Sequence, residues 1–151
     1  VLMDFPVLLS EEPPKVYAYS IYSSIAEKFE AIVSLGYDNS RFKDFYDIYV
    51  NALRYDFDGQ TLVDAFKETF AHRGTGLEFI AAFSEDYAHD EIRLIRWKSF
   101  VKKKKISLEL DLDETVEGIK LFVNPVIDAV KNQSVLRARW VGKEMKWIPF
   151  I

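Results

Sequence analysis

Residues 25–49, IAEKFEAIVSLGYDNSRFKDFYDIY, decide how this chain folds. Two segments of helical periodicity flank Gly36-Tyr37-Asp38-Asn39, a tight turn whose glycine is a natural left-handed helix stop. The stretch therefore reads as two short helices joined by that turn. Upstream, Ser24-Ile25-Ala26-Glu27 has capping-box spacing and puts the start of the first helix near Ser24. Downstream, Asp38 or Asn39 caps the second helix, which runs to about residue 54.

Outward from this pair the pattern stays helical. Pro6, Pro13 and Pro14 make residues 1–19 an extended entry segment, because proline breaks a continuous helix. Asp56-Phe57-Asp58-Gly59 is a turn, and a third helix over 61–72 carries Leu62, Ala65, Phe66, Thr69 and Phe70. His72-Arg73-Gly74-Thr75-Gly76 ends it. A short helix over 77–83 and a longer one over 87–101 follow, the latter with Leu94, Trp97 and Val101 at helical spacing. Asp113 caps a last helix whose apolar side holds Val116, Ile119, Phe122, Val123, Val126, Ile127 and Val130, with a kink expected at Pro125. The tail reads as a hairpin, 136–140 against 145–148, turning at Gly142-Lys143. The expected fold is mostly α: a helical domain of five to six helices over 20–134, with a small β tail over 135–151 packed on it.

The bulk composition sets limits. A domain of 151 residues buries roughly 68–70% of the surface its unfolded chain exposes, and 12 Phe, 8 Tyr and 3 Trp are enough to fill the core. Twenty Lys and Arg stand against 24 Asp and Glu; the net charge of −4 argues against wholesale coating of nucleic acid. The lack of cysteine excludes disulfides, thiolate metal sites and Cys nucleophiles, and fits a reducing cytoplasm. No apolar run approaches the ~18 residues that span a bilayer, so no membrane partner is expected. The chain opens Val1-Leu2-Met3-Asp4, which leads to the expectation that the native start lies upstream.

Two helical wheels pick out the chemistry. At about 100° per residue, Ile21, Tyr22, Ile25, Phe29, Ile32, Val33 and Leu35 form one apolar arc, and Lys28 falls inside it. Glu27, Glu30 and Ser34 lie on the opposite, solvated side. A buried ammonium needs a partner, so Lys28 either snorkels to the rim or meets a carboxylate. On the second helix Phe42, Phe45, Tyr46, Tyr49, Val50 and Leu53 form the apolar stripe. Asp44 and Asp47 share the other face, with Arg41 three residues before Asp44 and Lys43 four before Asp47. An ordinary face laced with ion pairs has the same spacing, each pair worth ~0.2–0.5 kcal/mol. Ile48 beside Asp44 implies that something covers part of that face.

Four blocks in order, Asp4-Phe-Pro-Val-Leu-Leu9, Ala18-Tyr19-Ser20, Ala26-Glu27-Lys28-Phe-Glu-Ala31 and Asn39-Ser-Arg-Phe-Lys-Asp-Phe-Tyr-Asp-Ile48, resemble the AbiEii/AbiGii toxin family of nucleotidyltransferases. Thr69-Phe70, Arg73 and Trp97 look like weaker matches further on. The resemblance implies the helical C-terminal half of a nucleotidyltransferase-like protein that moves a nucleotide from an NTP to an acceptor such as tRNA, in toxin–antitoxin or abortive-infection phage defence. It implies Lys28 as the contact to NTP phosphates and Asp44 as candidate base or polar organiser, with Arg41, Lys43 and Asp47 supporting. In such a family an N-terminal Gly-Ser motif and an Asp-x-Asp pair bind nucleotide and Mg²⁺, and neither precedes Lys28 here. Asp111-Leu112-Asp113 has the letters but reads as the cap of the last helix. The expectation is an inactive chain that holds neither Mg²⁺ nor NTP alone and lacks an N-terminal catalytic partner half.

Weaker signals remain. Lys102, Lys103, Lys104 and Lys105 suit a helix C-terminus, and Arg137 and Arg139 interleave with Trp140; both are candidate nucleic-acid contacts, for tRNA above all. His72 and His89 match no metal spacing, and no metal ligand is assigned. A different class of function is a stand-alone helical module that binds a partner protein or RNA through the Asp44–Ile48 face, or pairs as a homodimer. A cognate antitoxin is the further partner the resemblance implies.

Overall fold

The computed structural model describes the backbone of residues 15–38, 41–104 and 110–151, and the side chains of all of these except 15–20 and 38. The expectations for Pro6, Pro13, Pro14, Asn39 and Lys105 lie outside the described residues. The order is α1 (Lys15–Leu35), α2 (Phe42–Arg54), β1 (Phe57–Asp58), α3 (Gly59–Arg73), α4 (Glu91–Lys103), α5 (Leu112–Asn132), β2 (Ala138–Val141) and β3 (Lys146–Pro149). The mostly helical expectation holds: the described residues contain five α-helices and one small antiparallel sheet, ordered β1-β2-β3, with short 3-10 turns between them.

α1 starts at Lys15, not near Ser24, so the extended segment does not reach residue 19 and Ser24 sits mid-helix. Proline stops a helix running into it and tolerates one beginning after it, so Pro14 never excluded a helix from Lys15 onward. Gly36 takes φ +58 and ends α1 as expected. Arg41, not Asp38 or Asn39, is the N-cap of α2, and its side chain makes no capping hydrogen bond. Asp58 caps α3 instead, its Oδ2 accepting from Thr61 N at 2.9 Å and Thr61 Oγ1 at 2.8 Å.

Residues 77–83 form no α-helix; only a 3-10 turn, Ala81–Phe83, appears, since so short a segment gains few hydrogen bonds for its nucleation cost. The helix expected from residue 87 is split at Asp90, which caps α4 by accepting from Arg93 N at 2.8 Å. Asp111, not Asp113, caps α5: its Oδ1 accepts from Asp113 N at 3.1 Å. That assigns the Asp-x-Asp letters to helix capping.

α1 packs on α2 and α3, and α5 closes the other side of both. The core is aromatic. Phe29 stacks on Phe66 at 5.6 Å between centroids, Phe42 meets Trp97 edge-on at 5.4 Å, and Phe122 lies 4.9 Å from Trp140. The hairpin forms with Trp140 opposite Trp147, and β1 adds a third strand through Phe57 opposite Trp140. Two residues inside a turn give no sequence signal of a strand; the pairing with distant β2 makes them one.

Candidate functional site

The site is assembled where α1 crosses the N-terminal half of α2. Lys28 points from the apolar side of α1 into that crossing, and its Nζ donates to Asp47 Oδ2 at 3.0 Å. Asp44 Oδ1 is 3.9 Å from the same ammonium. Lys43 Nζ donates to the same Asp47 oxygen at 2.8 Å, and Arg41 Nε stands 2.9 Å from Asp44 Oδ2. All five residues singled out from the motif therefore meet in one charge network: Lys28, Arg41, Lys43, Asp44 and Asp47.

Asp44 is only 4% exposed and Ile48 is fully buried, so α1 covers the face that the wheel of α2 marks as polar. Of the expected stripe, Phe42 and Phe45 are buried, whereas Tyr46, Tyr49, Val50 and Leu53 keep partial exposure. α2 is packed from more than one side, and a single-stripe wheel misses that. The same burial removes the Asp44–Ile48 face as a free docking surface for a stand-alone binding module.

A cleft of about 430 Å³ opens beside this network. Lys28, Arg41 and Arg73 bring cations to its wall, Asp44 and Glu27 carboxylates, and Ser23 and Ser24 hydroxyls. Asp44 Oδ2 is buried and accepts no hydrogen bond from a described residue; the Arg41 guanidinium satisfies it as an ion pair, close but not in line. Burial pushes the Asp47 carboxyl up, yet the hydrogen bonds and charges of Lys43 and Lys28 outweigh it and hold its pKa below the ordinary carboxylate value. The hydrogen bond to Asp47 and its charge raise the Lys43 ammonium.

Glu30 corrects the wheel of α1. It is not solvated but 3% exposed, its Oε2 accepting from Thr75 Oγ1 at 2.6 Å and its Oε1 lying 3.7 Å from Arg73 Nη1. The turn after α3 closes over it, a contact across 45 positions that no local pattern encodes. Leu35, placed in the apolar arc, is 42% exposed because α1 ends there.

The weaker candidates stay apart from the cleft. Lys102, Lys103 and Lys104 are exposed at the end of α4, and Arg137, just before β2, and Arg139, on it, are exposed. Trp140 and Trp147 serve the core: Trp140 Nε1 donates to Ala52 O at 2.8 Å and Trp147 Nε1 to Phe122 O at 3.0 Å. Among the described residues no group of three or more His, Cys, Asp or Glu is placed to hold a metal ion.

Residues 1–118 of the 151 match the model of the family described as nucleotidyl transferase AbiEii toxin, type IV TA system. The chain belongs to the AbiEii toxin family. No curated protein and no solved structure matches it. The AbiEii match takes in the whole charge network and Arg73, and it ends inside α5, before the sheet's second strand. Membership makes this a nucleotidyltransferase toxin family member of a type IV toxin–antitoxin system, with a cognate antitoxin as implied partner. No helix among the described residues is long and apolar enough to cross a membrane.

Proposed function

We propose that this chain supplies the nucleotide-phosphate side of a nucleotidyltransferase site in a cytoplasmic toxin acting in phage defence. The reaction moves a nucleotide from an NTP to an acceptor, with the 3′ end of a tRNA as the acceptor class. The supporting observation is the meeting of Lys28 with Asp44 and Asp47 beside a cation-lined cleft, inside the AbiEii-matched stretch.

An ammonium has three donors. Asp47 takes one of those of Lys28 at 3.0 Å, which anchors the side chain so that it can meet a phosphate without first ordering itself. Asp44 organises Lys28 and Arg41; when a phosphate draws Arg41 away, Asp44 Oδ2 is left to accept the proton of the attacking hydroxyl. Lys43 and Asp47 cancel each other's charge, so the network of three cations and two carboxylates keeps a net positive charge toward the cleft. Transfer of this type rests on positioning and on cations set against developing negative charge.

Mg²⁺ does not fit the residues described, because the carboxylates of Asp44 and Asp47 are already engaged by Lys28, Arg41 and Lys43. Metal binding and the Gly-Ser and Asp-x-Asp motifs belong to an N-terminal half, and this chain is inactive alone. The test is nucleotide transfer to tRNA by the complete protein. Lys28→Ala should lower it by ~10²–10³-fold or more while the variant still folds, as its circular dichroism would show. Undiminished transfer by that variant overturns the reading.

A further inference from the structure

The third cation of the cleft comes from outside the motif. Arg73 is the last residue of α3, and its guanidinium reaches the cleft wall that Lys28 lines from α1. A cation at a helix C-terminus needs no function beyond the dipole it faces, and a buried Glu30 needs a counter-ion whatever the cleft does. Two features go further. The Arg73–Glu30 separation is 3.7 Å while Thr75 Oγ1 holds the other Glu30 oxygen at 2.6 Å, so the short, strong bond to this carboxylate is the threonine's. The Arg73 side chain is also 53% exposed, where one devoted to neutralising a buried acid would be drawn in with it.

The layering of charge points the same way. The carboxylates of Asp44 and Glu30 lie beneath the surface, at 6% and 4% side-chain exposure. Lys28, Arg41 and Arg73 stand in front of them at 25%, 58% and 53%. An anion entering the cleft meets cations first, with the acids behind fixing where those cations sit. Glu27 on the same wall is the opposing charge. A guanidinium carries five N–H donors in a planar fork that matches a phosphate, and a long ion pair uses little of that capacity. The cleft volume of about 430 Å³ falls within the range of small-ligand sites, roughly 300–1,000 Å³.

We propose that Arg73 grips the polyphosphate tail of the nucleotide together with Lys28, held over the cleft by buried Glu30 and its hydrogen-bond partner Thr75. This rests on the reading of the cleft as the nucleotide side of the site. Arg73 is then a phosphate-binding residue, and Glu30 is a positioning residue that acts through it.

The experiment is calorimetric titration of inorganic triphosphate into the complete protein of the transfer assay and its variants, with a melting curve for each. Arg73→Ala should weaken binding about tenfold or more, and Arg73→Lys should recover only part, since a point charge lacks the fork. Arg73→Ala also strands a buried carboxylate, so the double change Glu30→Gln with Arg73→Gln is the second arm. It leaves net charge unaltered and no unpaired buried acid, and it should fold like the parent yet bind as weakly as Arg73→Ala. Lys67→Ala, on the exposed face of α3, should bind like the parent.

If Lys28→Ala loses binding while both Arg73 variants keep it, Arg73 is a structural counter-ion and this inference falls, leaving the nucleotide-site reading intact. If neither residue matters, or the parent does not bind triphosphate, both readings fall. If the Arg73 variants lose affinity for a short single-stranded RNA with a 5′ hydroxyl but not for triphosphate, Arg73 serves an RNA backbone and the inference is overturned.

Discussion

Asp47 is where a single side chain decides how the site stands. Its Oδ2 accepts from both Lys28 and Lys43, and its pKa lies below the ordinary 3.8 in consequence. A carboxylate with a lowered folded-state pKa contributes stability that is fully present above its unfolded value. That contribution is lost as pH falls through the folded value. Asp47→Asn should therefore lower the melting temperature at neutral pH by an amount worth at most about 1 kcal/mol, since solvent screens the pair. The difference from the parent should shrink as pH falls below the ordinary carboxylate value and vanish once the folded-state Asp47 carboxyl is protonated. A deficit that persists undiminished into acid would show that the residue acts through packing and not charge. Lys28 and Asp44 were legible at this scale because a charge on an apolar arc and a charge beside a buried Ile48 are visible anomalies of periodicity. Glu30 was not, because its wheel position is ordinary and only the turn at Thr75 buries it.

Among the elements, the C-terminus of α2 shows why the β tail matters to a site it never touches. A helix end leaves carbonyls without partners, and here the tail provides for them. Trp140 Nε1 donates to Ala52 O at 2.8 Å, and Gly142 sits directly against the last turn, its N–H donating to Asp56 Oδ1 at 3.0 Å. A Cβ on Gly142 would stand 2.6 Å from Tyr55 O and 2.8 Å from the carbonyls of Ala52 and Leu53. Backbone atoms cannot step aside as a side chain would. Gly142→Ala should thus cost about 1–3 kcal/mol in chemical denaturation. A stability equal to the parent's would mean that the turn lifts off α2 freely. The hairpin itself was legible from alternation and a Gly-Lys turn. Its docking on α2, and the conversion of Phe57–Asp58 into a third strand, were not, because both depend on partners some 80 positions away.

For the whole molecule the question is whether helices and tail form one unit. Phe122 of α5 lies 4.9 Å from Trp140 and 6.2 Å from Trp147 between centroids, and 5.1 Å from Phe57 of β1. Losing one such buried tryptophan costs about 3–5 kcal/mol, against a typical total stability of 5–15. Removal of residues 135–151 should abolish the cooperative thermal transition followed by circular dichroism. A shortened chain that melts within a few degrees of the parent would instead make the tail an appendage. By itself the sequence determined the helical class, the left-handed stop at Gly36, the residues of the charged motif and the family they belong to. Those are properties of spacing along the chain, and local propensity and periodicity carry them. Only the tertiary structure decided that α1 covers Asp44, that Glu30 is buried, and that Arg73 arrives beside Lys28. Burial is a relation between surfaces brought together from distant positions, so no one helix contains the information.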